Sequence, residues 1–465
     1  CKNMNAIKTK IIATIGPSTN TYDSLKKLHK AGMNVARINM SHATHSDAQN
    51  IIDIVHQINS EQSVDYGPIG LLLDTQGPEI RTGINQSDID LTIGDIVNLT
   101  IREDLDVETS SIQINYKGLI KSVSKGSRIS IDNGLINFRV LAKDKENLTC
   151  KVLDGGKLGS KRHVNLPGVR VDLPSITKKD RKDIHLAIKN NVSFIALSFV
   201  RSAQDILDLR DILKKKKSSA RIIAKIENQE GLDNIHEITK ATDIVMVARG
   251  DLGIETDLAD LPNIQRRIMY ATAKWGKRSI VATHLLESMI VNPTPTRAEV
   301  TDVANAIYEG ADAVMLSGET SVGKYPVQCI KMLKNIATKT ENFRTLGYEE
   351  FLTEKSDWQN IAIAARDLAT RINADGIVVV TRSGQTADVI SSTKPFRMPI
   401  HAFTNNQETF QQLSLVGGMQ PYFMKSISNQ ASAIKKIKLI LASKIRSKKS
   451  LKFVLIGGVY SASHS

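Results

Sequence analysis

Short unbroken apolar runs alternate along this chain with amphipathic stretches of helical period, and the alternation predicts most of the fold. The runs are KIIATIG from Lys10, VARIN from Val35, IGLLLD from Ile69, FIALSF from Phe194, IIAKIE from Ile222, IVMVA from Ile244, SIVAT from Ser279 and AVMLS from Ala313. Strands that are apolar throughout are buried on both faces, as a helix-covered parallel sheet requires. The spacing predicts helices over Tyr22–Lys30, Ser46–Ser60, Lys178–Lys189, Leu207–Leu213, Leu232–Lys240, Ile264–Trp275, Ala298–Tyr308 and Pro326–Lys339. Eight such strand–helix units favour a closed (β/α)8 TIM barrel over an open sheet.

The pattern changes twice. Between the third strand and its helix, residues 78–174 carry short alternating segments, LTIGDIVNLTI, SRISIDNG and NLTCKVL, with Gly and Asn-Gly turns between them. Period two with such turns reads as a small all-β domain inserted into the barrel. From Trp358 a helix–strand pattern restarts with GIVVV, ADVISS, MPIHAF, a helix near Glu408–Leu415, the stretch SNQASAIKKIKLILASKI and KFVLIGG. This predicts a separate C-terminal α/β domain over 343–465, with 343–357 as its linker, and leaves the barrel to 1–77 and 175–342.

At 465 residues, with 41% hydrophobic and 24% charged positions, the composition excludes wholesale disorder, collagen-like repeats and coiled coil. No run is long enough to span a bilayer, and Cys1–Met4 opens no signal-peptide apolar segment, so a cytoplasmic chain without a membrane partner is expected. Cys1, Cys150 and Cys329 show no metal-ligand spacing and read as buried or inert thiols. The formal charge of +14 admits nucleic acid, an acidic membrane or a small anionic substrate. The basic runs Lys214–Lys217 and Lys444–Lys452 have no interleaved aromatics, which reads as a solvated face and argues against nucleic acid.

Barrels of this kind keep their chemistry at the carboxyl ends of the strands. There the chain places Arg37, Asn39 and Ser41, on one side if the backbone stays extended; Asp74 and Thr75; Lys225 and Glu227; Gly250 and Asp251; Thr283; and Ser317 with Glu319. Lys225 and Glu227 inside an apolar strand require a counter-ion or ligand. Two cations, Arg37 and Lys225, with two carboxylates, Glu227 and Asp251, suit an anionic substrate held on a magnesium ion. Asn39, Ser41 and Asp74 offer oxygens for a monovalent cation, and Gly250 lets backbone N–H groups come close to an anion. Taken singly, each cation reads equally as half of a structural ion pair, each Asp as a loop cap, and His42 and His284 as hydrogen-bonded fillers. Convergence of polar groups at most of the eight ends separates the readings.

The segments TKIIATIGPS, GMNVARINMSH, LLLDTQGPEIRTG, VNLPGVRVDLPSITKKD, IIAKIENQEG, IVMVARGDLGIE, ATHLLESMI, PTRAEVTDVANAIYEGADAVMLSGETSVGKYP and TRSGQTA resemble the pyruvate kinase family, in family order. The resemblance implies an α/β fold: a (β/α)8 barrel, an inserted small β-barrel lid and a C-terminal α/β regulatory domain. It implies transfer of the phosphoryl group of phosphoenolpyruvate to ADP in glycolysis, and a homotetramer. Position by position, Arg37 and Lys225 are implied at the transferring phosphoryl and the enolate, Glu227 and Asp251 as ligands of Mg2+ or Mn2+, and Gly250 and Thr283 on the carboxylate side of the substrate. Asn39, Ser41, Asp74 and Thr75 are implied as ligands of K+, with Glu79 marking the potassium-dependent branch. Asn39, His42, Arg81 and Arg162 fall on the nucleotide side. Thr283, Ser317 and Glu319 are candidates to relay a proton to enolpyruvate. Thr381, Ser383, Gly384 and Thr386 resemble a loop for a phosphorylated effector, where hydroxyls and N–H groups meet a helix N-terminus.

Three departures stand out. Gln76 replaces a lysine common in relatives, and His284 falls at a variable position. The chain opens at Cys1 and closes with IGGVYSASHS, short of a final strand, so a truncated C-terminal domain with an unpaired sheet edge is expected. The rival readings are a magnesium-dependent lyase acting on pyruvate-like enolates, which needs neither lid nor potassium cluster, and a basic nucleic-acid-binding protein.

Overall fold

The computed structural model describes residues 7–61, 67–85, 87–102, 111–353, 356–425, 430–445 and 450–457. Cys1 and most of the closing IGGVYSASHS, from residue 458 on, lie outside them, as does part of the Lys444–Lys452 run. Eight parallel strands close into a barrel in sequential order: β1 (Lys10–Thr14), β2 (Val35–Asn39), β3 (Gly70–Asp74), β4 (Phe194–Leu197), β5 (Arg221–Ile226), β6 (Ile244–Ala248), β7 (Arg278–Ala282) and β8 (Ala313–Leu316). Their residues alternate between two cores. Ile12, Val35, Leu72, Ala196, Ile223 and Met246 fill the interior, while Ile11, Ala36, Leu73, Ile195 and Val245 face the outer helices.

Local sequence sets the helix starts. Thr177 with Asp180, Thr296 with Glu299 and Ser356 with Gln359 form reciprocal capping boxes that begin the helices Lys178–Lys189, Arg297–Tyr308 and Asp357–Arg371. The insert is a six-stranded sheet in the order 164–165, 128–131, 136–143, 147–154, 96–100, 111–113, beside a two-stranded ribbon of 156–158 with 89–91. Isolated bridges from Arg81 to His163 and from Thr82 to Ile114 join the two ends of that sheet and curl it closed. Phe138, Leu99, Leu148 and Cys150 fill its core. Cys150 and Cys329 are free and buried, and burial pushes both thiols up to about 12, so they are inert as expected.

The C-terminal sheet is parallel, in the order Met419–Phe423, Ile400–Thr404, Gly376–Val380, Phe453–Gly457. It docks on the base of the barrel, where Leu415 completes the barrel's own interior core. The stretch read as a linker is docked too: Tyr270 packs against Tyr348 and Phe351 with ring centroids 5.8 and 5.5 Å apart. Among the described residues, no helix is long and apolar enough to cross a membrane.

Candidate active site

The uppermost layer of the barrel interior is polar. On each strand the residue two beyond the last apolar inner position continues the same face, so Thr14 follows Ile12, Arg37 follows Val35, Asp74 follows Leu72, Ser198 follows Ala196, and Lys225 then Glu227 follow Ile223. Lys225 Nζ lies 3.0 Å from Asp74 Oδ1 and 3.0 Å from Glu227 Oε1, and donates to Ser198 Oγ at 2.8 Å. Arg37 donates from Nε to Asp74 Oδ2 at 2.8 Å and from Nη1 to Thr14 Oγ1 at 2.8 Å. Asn39 and Asp74 are neighbours in register across β2 and β3.

The charges are unevenly balanced. Burial opposes ionisation of Asp74, but Lys225 and Arg37 overcome it and hold the carboxyl below the usual range. Burial likewise opposes the charge on Lys225, and Asp74 with Glu227 outweigh it and raise the ammonium. For Glu227 burial wins: with Asp251 and Asp74 adding to it against Lys225, the carboxyl is pushed up to about 7. Asp251 is raised by burial and by Glu79 and Asp74, against the pull of Lys225. The pair Glu227 and Asp251 is therefore short of positive charge. Among the described residues, no group of three or more His, Cys, Asp or Glu is placed to hold a metal unaided. Two hard oxygen donors fit Mg2+ or Mn2+, which complete their shells with water and substrate oxygens.

Asp251 is delivered by the helix Arg249–Glu255, which begins directly after β6. Arg249 pins its start, donating to Ala282 O at 3.2 Å, Thr283 O at 2.5 Å and Asp302 Oδ1 at 2.7 Å. Gly250 N–H donates to Thr283 Oγ1 at 2.8 Å. Thr283 and His284 have φ of +68° and +52°, and a β-branched residue in that region is an outlier of the kind found at functional sites. A Cβ at Gly250 would meet Thr283 Oγ1 at 3.7 Å, an ordinary contact, so the chain itself does not demand glycine there.

A cleft of about 410 Å³ brings Arg37, Asn39, Ser41, His42, Lys225, Glu227 and Asp251 together with Glu79, Arg81 and Arg162. Ser41 arrives differently from the extended reading. The strand stops at Asn39 and the chain turns, with Ser41 N–H donating to Asn39 Oδ1 at 3.2 Å. Glu79 Oε2 accepts from Arg81 Nε at 2.7 Å and from Gln76 Nε2 at 2.9 Å, while Arg162 Nη1 reaches Asp132 Oδ1 at 3.4 Å. Thr75 presents its carbonyl to Ser198 Oγ at 2.6 Å. Ser317 and Glu319 sit beyond the cleft's lining, and Glu319 accepts the backbone N–H groups of Leu286 at 3.1 Å and Ser317 at 2.7 Å. Thr381, Ser383, Gly384 and Thr386 lie at the opposite, basal end, where Gly384 N–H donates to Thr381 Oγ1 at 3.0 Å and Arg221 Nη2 donates to Ser383 O at 3.3 Å.

Several residues of the cleft's lining escaped the sequence reading, among them Ser198, His163 and Phe199, whose N–H donates to Glu227 Oε2 at 2.6 Å. Ser198 ties Lys225 to Asp74 and Thr75, and its signal was present, since it follows β4 at the carboxyl end. His163 reaches in from the lid, its Nδ1 3.7 Å from Asp251 Oδ1, and burial lowers its pKa. Nothing in one sequence marks a lid residue as facing a barrel helix.

Comparison with known proteins agrees with this geometry. Family models described as "Pyruvate kinase, barrel domain" and "Pyruvate kinase, alpha/beta domain" match residues 6–330 and 359–464. Pyruvate kinases from two Staphylococcus aureus strains, MRSA252 and USA300, are each 43% identical over 425 residues, covering 90% of this chain and 72% of theirs. The crystal structure of a pyruvate kinase from Cryptosporidium parvum superposes with a TM-score of 0.93 at 34% identity, covering 97% of this chain and 94% of that one. The barrel, the curled insert and the C-terminal α/β unit, matched along almost their whole length, establish that this chain belongs to the pyruvate kinase family.

Proposed function

We propose that the barrel-mouth cleft is where this chain carries out its family's reaction, transfer of the phosphoryl group of phosphoenolpyruvate to ADP to give pyruvate and ATP in glycolysis. The observation that carries the proposal is the set of Arg37, Lys225 and Glu227, all buried, with the half-buried Asp251 in one cleft, its carboxylates left short of countercharge. Phosphoryl transfer is catalysed mainly by positioning and charge neutralisation. Arg37 has Nε and one side of its guanidinium committed to Asp74 and Nη1 to Thr14, which fixes the fork while leaving further N–H donors for phosphoryl oxygens. The three N–H donors of Lys225 face Asp74, Ser198 and Glu227. A substrate oxygen reaches the ammonium by displacing one of them, and Glu227, pushed towards protonation, is the partner most readily exchanged.

Glu227 and Asp251 would hold Mg2+ or Mn2+, and Asn39, Ser41, Asp74 and Thr75 would hold K+. Bound cations supply charge that offsets the repulsion between two polyanionic substrates. His42, Arg81 and Arg162 face the nucleotide, and the lid keeps water from the phosphoryl group. Gly250 N–H and Thr283 flank the substrate carboxylate. Of the proton-relay candidates, Glu319 has both oxygens committed to backbone N–H groups, and the Thr283 hydroxyl accepts from Gly250 N–H at 2.8 Å and donates to Ala282 O at 2.6 Å, so Thr283 takes part by exchanging that carbonyl for the substrate. Deuterium uptake from solvent into pyruvate tests this: it falls in Thr283→Ala if the hydroxyl takes part and is unchanged if it does not.

The same reading extends to the rest of the chain. Divisions at 78–174 and 343–465, a phosphorylated effector on Thr381, Ser383, Gly384 and Thr386, a homotetramer and a cytoplasmic location complete the proposal. ATP formation from phosphoenolpyruvate and ADP, followed by a coupled assay with and without each ion, tests the whole and separates it from a lyase.

A further inference from the structure

The lid touches the helix that carries Asp251 through two side chains, and the backbone N–H of Leu166 also bonds Glu255. His163 Nδ1 lies 3.7 Å from Asp251 Oδ1, and Asn165 Nδ2 donates to Glu255 Oε1 at 2.9 Å. The spacing is matched. Residues two apart on a strand share a face about 6.8 Å apart, and residues four apart on a helix stack about 6 Å apart, so 163 and 165 can engage 251 and 255 together.

The rest of the lid's attachment lies elsewhere. Its return path is clamped by Arg201, which donates from Nη1 to Val171 O and from Nη2 to Leu173 O, the latter at 2.5 Å. Between that clamp and the cleft is a cavity of about 290 Å³ lined by Ile80, Leu166, Val169, Phe199 and Glu255. The strand Val164–Asn165 is thus not packed solidly onto the barrel, and polar contacts hold it there. Asn165 itself is 2% exposed, and its Oδ1 has no partner, so its one hydrogen bond from the side chain is the bond to Glu255. Glu255 closes the far end of the helix whose near end Arg249 pins.

We propose that Asn165 and Glu255 form a latch between lid and barrel, and that Glu255 is a positioning residue which fixes the Asp251 helix when the lid is down. The inference rests on the reading of Asp251 as a metal ligand, and its test separates the two. Hydrogen exchange of the full-length, metal-free protein reads the latch without catalysis. In Asn165→Ala, exchange at residues 156–166 and 249–255 rises about tenfold while β5 is unchanged, as loss of one hydrogen bond to a charged group predicts. Mn2+ affinity, read by electron paramagnetic resonance, weakens about tenfold, the scale expected for a residue that orients a ligand. The apparent activation constant for Mn2+ rises with it, while kcat stays within about twofold.

The exchanged pair Asn165→Asp with Glu255→Gln reverses the donor and acceptor. It restores protection that each single variant loses, which a packing role would not do. Unchanged exchange in Asn165→Ala, or a double variant no better than the singles, overturns the latch. If Asp251→Asn binds Mn2+ normally, the metal reading fails, and the exchange data still decide the latch.

Discussion

The two ends of the barrel carry buried ion clusters made of the same residue types, and they are finished in opposite ways. Strand β5 spans both, with Arg221 at its base and Lys225 at its mouth. At the base, Arg221 and Arg278 both face Asp388, at 2.5 and 2.9 Å, and Asp312 pairs with Lys394. Asp388 and Lys394 come from the C-terminal domain, so each buried charge there faces an opposite charge from the chain itself, although two arginines share one carboxylate and Arg278 Nη1 has no hydrogen-bond partner. At the mouth, Asp74 is satisfied by two cations while Glu227 and Asp251 remain in excess. Charges paired across a domain contact are architecture, and carboxylates left in excess at an open cleft are a site for cations and substrates.

The contrast is sharpest in activity. Lys225→Met should lower kcat about a thousandfold, the scale of removing a preorganised charge at a reacting oxygen, with circular dichroism unchanged. Asp388→Ala should do the reverse. It strands Arg221 and Arg278 without a counter-ion, costing about 3 kcal/mol in urea denaturation while leaving kcat per folded molecule within about twofold.

A pH series sharpens it further. Glu227 and Glu255 sit near 7 in the folded chain against an unfolded value near 4.5, in both cases chiefly through burial. Between those values the folded chain holds protons that the unfolded chain has released, so these two groups lower metal-free stability as pH rises from about 4.5 to about 7, by up to about 3 kcal/mol each, while His401, pushed down to about 4 by burial, acts the opposite way over the same window. Urea denaturation at both ends of that window, with chelator and then with Mg2+, should show the loss and its reversal by the ion. The share of Glu227 is the difference between wild type and Glu227→Gln, and a variant with the same pH slope as wild type would mean that the mouth is not short of positive charge. The smallest effect is expected at Glu79, whose carboxylate lies among Arg81 and Gln76. Glu79→Lys should bring the ratio of rates with and without K+ towards one, and an unchanged ratio would remove Glu79 from the potassium reading.

The barrel was legible because its strands are apolar on both faces and because polar residues within or just after them stand out against that background, as Lys225 does in IIAKIE. The insert was legible from its change of period. Pairings were not, since one sequence shows that Asp74 ends a strand but not that it lies between Arg37 and Lys225. The turn after Asn39 was hidden because alternation describes a strand only while it lasts. Glu319 looked free to move a proton; one of its N–H partners, Ser317, is two residues away, and the other, Leu286, comes from the loop after β7, whose approach only the fold sets. His163 and Asn165 belong to a different domain from the helix they touch, which leaves no local pattern to read.

ATP formation from phosphoenolpyruvate and ADP, with Mg2+ and K+ present, compared among wild type, Asp251→Asn and Asp388→Asn, tests the distinction between the two ends most directly. Wild type should make ATP, Asp251→Asn should lose about a hundredfold or more, and Asp388→Asn should keep its rate per folded molecule. An inactive wild type, or an Asp251→Asn variant as fast as wild type, would contradict the account.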